Sequence, residues 1–86
     1  MFTVTWAAPV LDRLADLYVA ADPADRRRMA DGVEALNRRL ALRPWDEGES
    51  RDGLYRLTFP PLLAVRFHVD RMADTVQVVG VARWGR

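Results

Sequence analysis

From Leu54 to Ala82 the chain alternates apolar and polar residues, and only two short breaks, Pro60-Pro61 and Asp70–Asp74, interrupt the pattern. Breaks that short join antiparallel strands, because a parallel crossover needs a dozen or more residues. The segment therefore predicts a three-strand meander: Leu54–Phe59, Leu62–Val69 and Thr75–Ala82. A meander needs something to cover its apolar face, and the residues before it supply two helices. Val10, Leu11, Leu14, Leu17, Tyr18 and Ala21 recur at helical spacing after Pro9, which suits a first turn, so a helix is expected over Pro9–Ala20. Asp22-Pro23-Ala24-Asp25 then combines an amide cap, an N1 proline and an acid in the positive first turn. Met29, Val33, Leu36 and Leu40 continue that helix to Leu42, where Arg43 and Pro44 end it. Gly32 inside it suggests a close crossing with the first helix. Phe2-Thr3-Val4-Thr5-Trp6 alternates in the manner of an opening strand, and Trp45–Gly53 reads as a loop.

The order is thus βααβββ, an α+β domain with a helical hairpin on one face of a mostly antiparallel sheet. With 86 residues, a single domain over 1–86 is expected. The chain has no cysteine, which excludes disulfides, thiolate zinc sites and cysteine nucleophiles. One histidine leaves no structural zinc set, and no glycine-rich phosphate loop is present, so neither metal nor cofactor is expected. No basic stretch followed by an apolar run opens the sequence, and no apolar run approaches the ~20 residues of a membrane span. A cytoplasmic location without membrane contact is the expectation.

Net charge is only +1, but it is unevenly distributed. Residues 1–50 hold 7 arginines against 9 acids, and residues 51–86 hold 6 against 3. Every basic residue is arginine, whose planar fork suits phosphate and carboxylate. Period-2 counting divides the meander into two faces. Tyr55, Leu57, Phe59, Leu63, Val65, Phe67, Val69, Val76 and Val78 are expected under the helices. The open face then collects Thr3, Thr5, Arg56, Thr58, Arg66, His68, Gln77 and Arg83. Such a face is polar with or without a function. Three arginines beside the chain's only histidine nevertheless form a set able to handle a polyanion.

Three stretches resemble a known family: Gly48-Glu49-Ser50-Arg51-Asp52-Gly53-Leu54-Tyr55-Arg56, Pro61–Val69 and Val78–Trp84. With the element order, they make the chain similar to the RelE/ParE superfamily of type II toxin–antitoxin toxins. That superfamily includes ribosome-dependent mRNA cleavers and DNA gyrase inhibitors. The resemblance implies growth inhibition, a cognate antitoxin, and either RNA at the ribosome or DNA gyrase as target; a non-toxic binding module keeping the fold is a further alternative. In cleaving members, basic sheet residues and a residue near the C-terminus carry the reaction. Arg56 resembles the basic residue of the second strand, and Arg83 the one just past the last strand. The third-strand arginine of cleaving members falls at or near Ala64, and Arg66 stands two residues later on the same face. The C-terminal tyrosine of some members has no counterpart.

A metal-independent endoribonuclease needs a base at the 2′-hydroxyl and cations at the phosphorane. Arg56, Arg66, His68 and Arg83 are the catalytic candidates, and Arg51, Gln77, Trp84 and Arg86 are the candidate substrate contacts. Arg51 has two readings, a partner for a loop carboxylate or a border of the basic face. Trp84 either stacks on a base or covers the end of the core. Arg26-Arg27-Arg28 is either solvated or a contact for an acidic antitoxin. Leu62, Val79 and Val81, expected on the open face, suit an antitoxin or a second copy of the chain.

Overall fold

The computed structural model describes residues 1–85. Its elements are β1 (Thr3–Trp6), α1 (Ala8–Ala20), α2 (Pro23–Leu42), a 3₁₀ turn at Pro44–Asp46, β2 (Glu49–Arg51), β3 (Tyr55–Thr58), β4 (Leu63–Asp70) and β5 (Thr75–Arg83). The strands form one sheet in the order β1-β5-β4-β3-β2. All neighbours are antiparallel except β1 and β5, which run parallel with α1 and α2 inside the long connection. The α+β hairpin-on-sheet architecture follows the sequence pattern, with one addition. The segment expected to be a plain loop contains β2, a strand of 3 residues that extends the meander by a hairpin.

Helix boundaries match their local chemistry. The Asp22 side chain accepts the Asp25 amide at 2.8 Å, and Pro23 occupies the first turn of α2. Arg26 reaches back to the exposed end of α1, donating to the carbonyls of Tyr18 at 2.8 Å and Ala21 at 3.0 Å. A cation is favoured at that negative helix terminus, so Arg26 fastens the two helices at their shared corner. Burial pushes the Tyr18 phenol above its ordinary pKa. Among the described residues no helix is long and apolar enough to cross a membrane.

The core lies between the hairpin and the sheet. Val10, Leu14 and Leu17 of α1 and Met29, Val33, Leu36 and Leu40 of α2 meet Leu63, Val65, Phe67 and Val69 of β4 and Val76 and Val78 of β5. β4 is the middle strand, and Leu63, Val65 and Phe67 are fully buried. The Trp6 indole donates to Asn37 Oδ1 at 2.8 Å, tying edge strand β1 to α2. Gly32 permits a close approach, but its partner is not the first helix. A Cβ there would stand 2.7 Å from Pro61 Cδ, so α2 presses on the β3–β4 turn.

Gly48 opens the β2 hairpin at φ 63°, where a side chain is strained. A Cβ there would also overlap the Leu57 carbonyl. Gly48→Ala is expected to cost about 2–5 kcal/mol, from left-handed strain and steric overlap. Urea denaturation checks this; a midpoint unchanged from wild type would contradict the hairpin geometry.

Candidate functional site

Strand register decides which side chains share a surface, because residues directly opposite across a ladder project to the same side. Tyr55 pairs with His68, and His68 with Gln77. Arg51 pairs with Tyr55 on one side, and Thr5 with Gln77 on the other. One rung, Arg51–Tyr55–His68–Gln77–Thr5, therefore crosses all five strands on the face away from the helices. The next rung contains Glu49, Leu57, Arg66 and Gly80. Arg66 is exposed and stands over the Tyr55 ring, with Cζ 5.3 Å from the centroid. Tyr55 and His68 are half-buried, with ring centroids 5.8 Å apart and planes tilted by 57°. The result is a compact cation–aromatic–imidazole cluster. Arg66 lies opposite Gly80, where a Cβ would make an ordinary contact with its side chain at 3.7 Å.

Two of the four catalytic candidates are not on this face. Arg56 pairs with Phe67, so it projects to the helix side. There its guanidinium is fastened to the loop after α2, donating to the carbonyls of Trp45 at 3.0 Å, Glu47 at 3.1 Å and Gly48 at 3.2 Å. Arg83 pairs with Leu63, also on the helix side, and meets Asp25 of α2 at 3.3 Å. The expected gathering of Arg56, Arg66, His68 and Arg83 on one surface is thus incorrect. Arg66 and His68 share the open face, whereas Arg56 and Arg83 lie on the other.

Each displacement has a physical cause. β3 is in the opposite phase to the expected one. Tyr55 and Leu57 face outward beside His68 and Arg66, while Thr58 is buried. β5 carries an irregularity opposite Arg66/Phe67, where Arg66 pairs with Gly80 but Phe67 with Val78. Val79 is the extra residue, and the bulge inverts the facing of everything after it. Val81 consequently packs against the core rather than on the open face. Leu62 is likewise not an open-face residue: it adopts φ 66°, is buried in the core, and its carbonyl accepts the Trp84 amide at 2.9 Å.

The candidate substrate contacts also divide. Gln77 and Arg51 lie on the rung of His68, and Arg51 is also paired with Glu49. Trp84 is seven residues past Gln77, roughly 23 Å along an extended chain. It is exposed and packs on Phe59, with centroids 5.2 Å apart. Arg86 lies outside the described residues. Sequence reasoning missed Tyr55 as a site residue because it placed that side chain in the core. Among the described residues, no group of three or more histidine or acidic side chains is arranged to hold a metal ion.

No family model matches the chain. No curated protein matches it in sequence either. Solved structures do match it in shape. A chain of the toxin–antitoxin complex RelBE2 from Mycobacterium tuberculosis superposes with a TM-score of 0.73 at 17% identity, covering 99% of this chain and 93% of that one. The chain shares the fold of that chain. A chain of the chromosomal ParDE toxin–antitoxin system from P. aeruginosa gives a TM-score of 0.66 at 19% identity, with 99% and 98% covered. A chain of the archaeal RelE–RelB complex from Pyrococcus horikoshii OT3 gives 0.61 at 15%, with 99% and 97% covered.

The different bonding of the arginines has a measurable consequence. Arg56→Ala removes three hydrogen bonds from a cation and leaves loop carbonyls unpaired, an expected loss of about 2–3 kcal/mol. Arg83→Ala removes one partly exposed ion pair and is expected to cost less than about 1 kcal/mol. Thermal denaturation of the two variants side by side tests this; equal losses would contradict the assignment.

Proposed function

We propose that this chain is the toxin of a type II toxin–antitoxin pair, and that its open sheet face engages RNA at the ribosome. The carrying observation is the cluster of Arg66, Tyr55 and His68 on a face that no helix covers. The fold, shared with chains of RelBE2, ParDE and RelE–RelB complexes, supports a toxin role and a cognate antitoxin.

On this reading, His68 takes the proton from a ribose 2′-hydroxyl as that oxygen attacks the adjacent phosphorus. Arg66 neutralises charge on the phosphorane. The Tyr55 phenol donates a proton to the departing 5′-oxygen, leaving a 2′,3′-cyclic phosphate and a 5′-hydroxyl. Gln77 and Arg51 flank the site on the same rung and contact the strand. Arg56 and Arg83 act structurally in this scheme, through the loop carbonyls and Asp25.

A second reading, inhibition of DNA gyrase without nuclease chemistry, draws on the likeness to the ParDE chain. It also draws on the commitment of Arg56 and Arg83 to internal bonds, which leaves few cations for catalysis. Induced expression with parallel readouts of mRNA integrity and gyrase activity separates the two. RNA cleavage is expected to accompany growth arrest. His68→Ala and Arg66→Ala should each reduce cleavage at least about 100-fold, and Arg83→Ala should retain it. Growth arrest with intact mRNA and stalled gyrase would replace the RNA reading with the gyrase one. Harmless expression would remove both.

A further inference from the structure

Around the edge from the open face, at the β2–β3 end of the sheet, lies a notch of about 180 Å³ bordered by Trp45, Ser50, Leu54, Arg56 and His68. His68 is common to the notch and the open rung. Arg56 is held rigidly there. Its Nε and Nη2 are bonded to three backbone carbonyls, and among the described residues Nη1 has no hydrogen-bond acceptor. Carbonyl oxygens carry no formal charge, so the positive charge of Arg56 is oriented without being neutralised. A donor fixed in this way loses little freedom when it meets an anion.

The nearby acids do not compensate it. Glu47 is paired with Arg39, Glu49 with Arg51, and Asp70 accepts the amides of Met72 and Ala73 in its own turn. Asp46 borders a different depression on the α2 side, and Asp52 is exposed in the β2–β3 turn. Among the described residues no carboxylate borders the notch itself. Arg71 adds a second cation, 5.2 Å above the Trp45 ring, and the indole is 44% exposed. An anchored guanidinium, a hydroxyl and a half-exposed indole are the groups that a phosphate attached to a planar ring system needs.

We propose that this notch binds a nucleoside monophosphate unit, with its phosphate on Arg56 and its base against Trp45. The proposal deepens the RNA reading and rests on it. A strand lying on the open rung would reach the notch past His68, which lines both, and place a neighbouring nucleotide there. Arg56 then has a ligand-binding role as well as a structural one, although it stands on the opposite side of the sheet from Arg66.

The test uses the full-length protein labelled with ¹⁵N and titrated with adenosine 5′-monophosphate, adenosine and inorganic phosphate, following the indole N–H signals. The monophosphate is expected to move the Trp45 signal while those of Trp6 and Trp84 stay in place. Adenosine and phosphate alone should bind at least fivefold more weakly. Trp45→Leu, which leaves the carbonyl tethers intact, and Arg56→Lys should each weaken the monophosphate at least fivefold. Arg38→Ala, an exposed arginine on α2 of equal charge, should leave it unchanged. A Trp45 signal that does not respond, or wild-type affinity in Trp45→Leu, overturns the proposal even if RNA is cleaved. Monophosphate binding with intact cellular RNA sustains the notch and removes only the cleavage reading.

Discussion

β4 is hydrogen-bonded on both sides, and its inward residues Leu63, Val65 and Phe67 have no exposed surface. Slipping this strand by one residue would turn those side chains into water and bring Arg66 and His68 under the helices. The penalty would be about 1.5–3 kcal/mol for each large apolar side chain, before any cost of burying charge. That penalty locks β4, and β4 in turn dictates the facing of β3 and β5 through its ladders. The outward row of Arg66 and His68 is therefore a by-product of core packing.

From this constraint the distribution of charge follows. On the open side, Arg66 has an aromatic ring for a partner rather than a carboxylate. On the helix side, Arg56 is surrounded by carbonyls and Arg83 meets Asp25. Arg26 caps α1, while Arg39 and Arg51 pair with Glu47 and Glu49. The arginines thus sort by neighbour. Some hold the scaffold together, and Arg66 and Arg71, over the Tyr55 and Trp45 rings, have no acid partner among the described residues.

The sequence was most legible where one phase of the pattern is apolar and the other polar. β1 and β4 have that character, and both face as expected. α2 announced itself through Asp22, Pro23 and the three- and four-residue steps of its buried stripe. β3 was misread because both of its phases contain apolar atoms. Leu54, Leu57 and Tyr55 compete, and only the carbonyls of Trp45, Glu47 and Gly48 explain why Arg56 turns inward. β5 was misread for a related reason. Val78, Val79 and Val81 are interchangeable by hydrophobicity, so one extra residue leaves no mark on the pattern. β2 was missed because Glu49-Ser50-Arg51 is polar throughout, and its pairing depends on Gly48 and on a neighbour that lies beyond the loop.

The β5 bulge alone decides whether Arg83 joins Arg66 and His68. Cross-strand nuclear Overhauser contacts between β4 and β5 test it directly. Backbone contacts are expected to link Phe67 with Val78 and Arg66 with Gly80, with Val79 left between them. A regular ladder, with Arg66 opposite Val79 and Val65 opposite Gly80, would return Arg83 to the open face and contradict it.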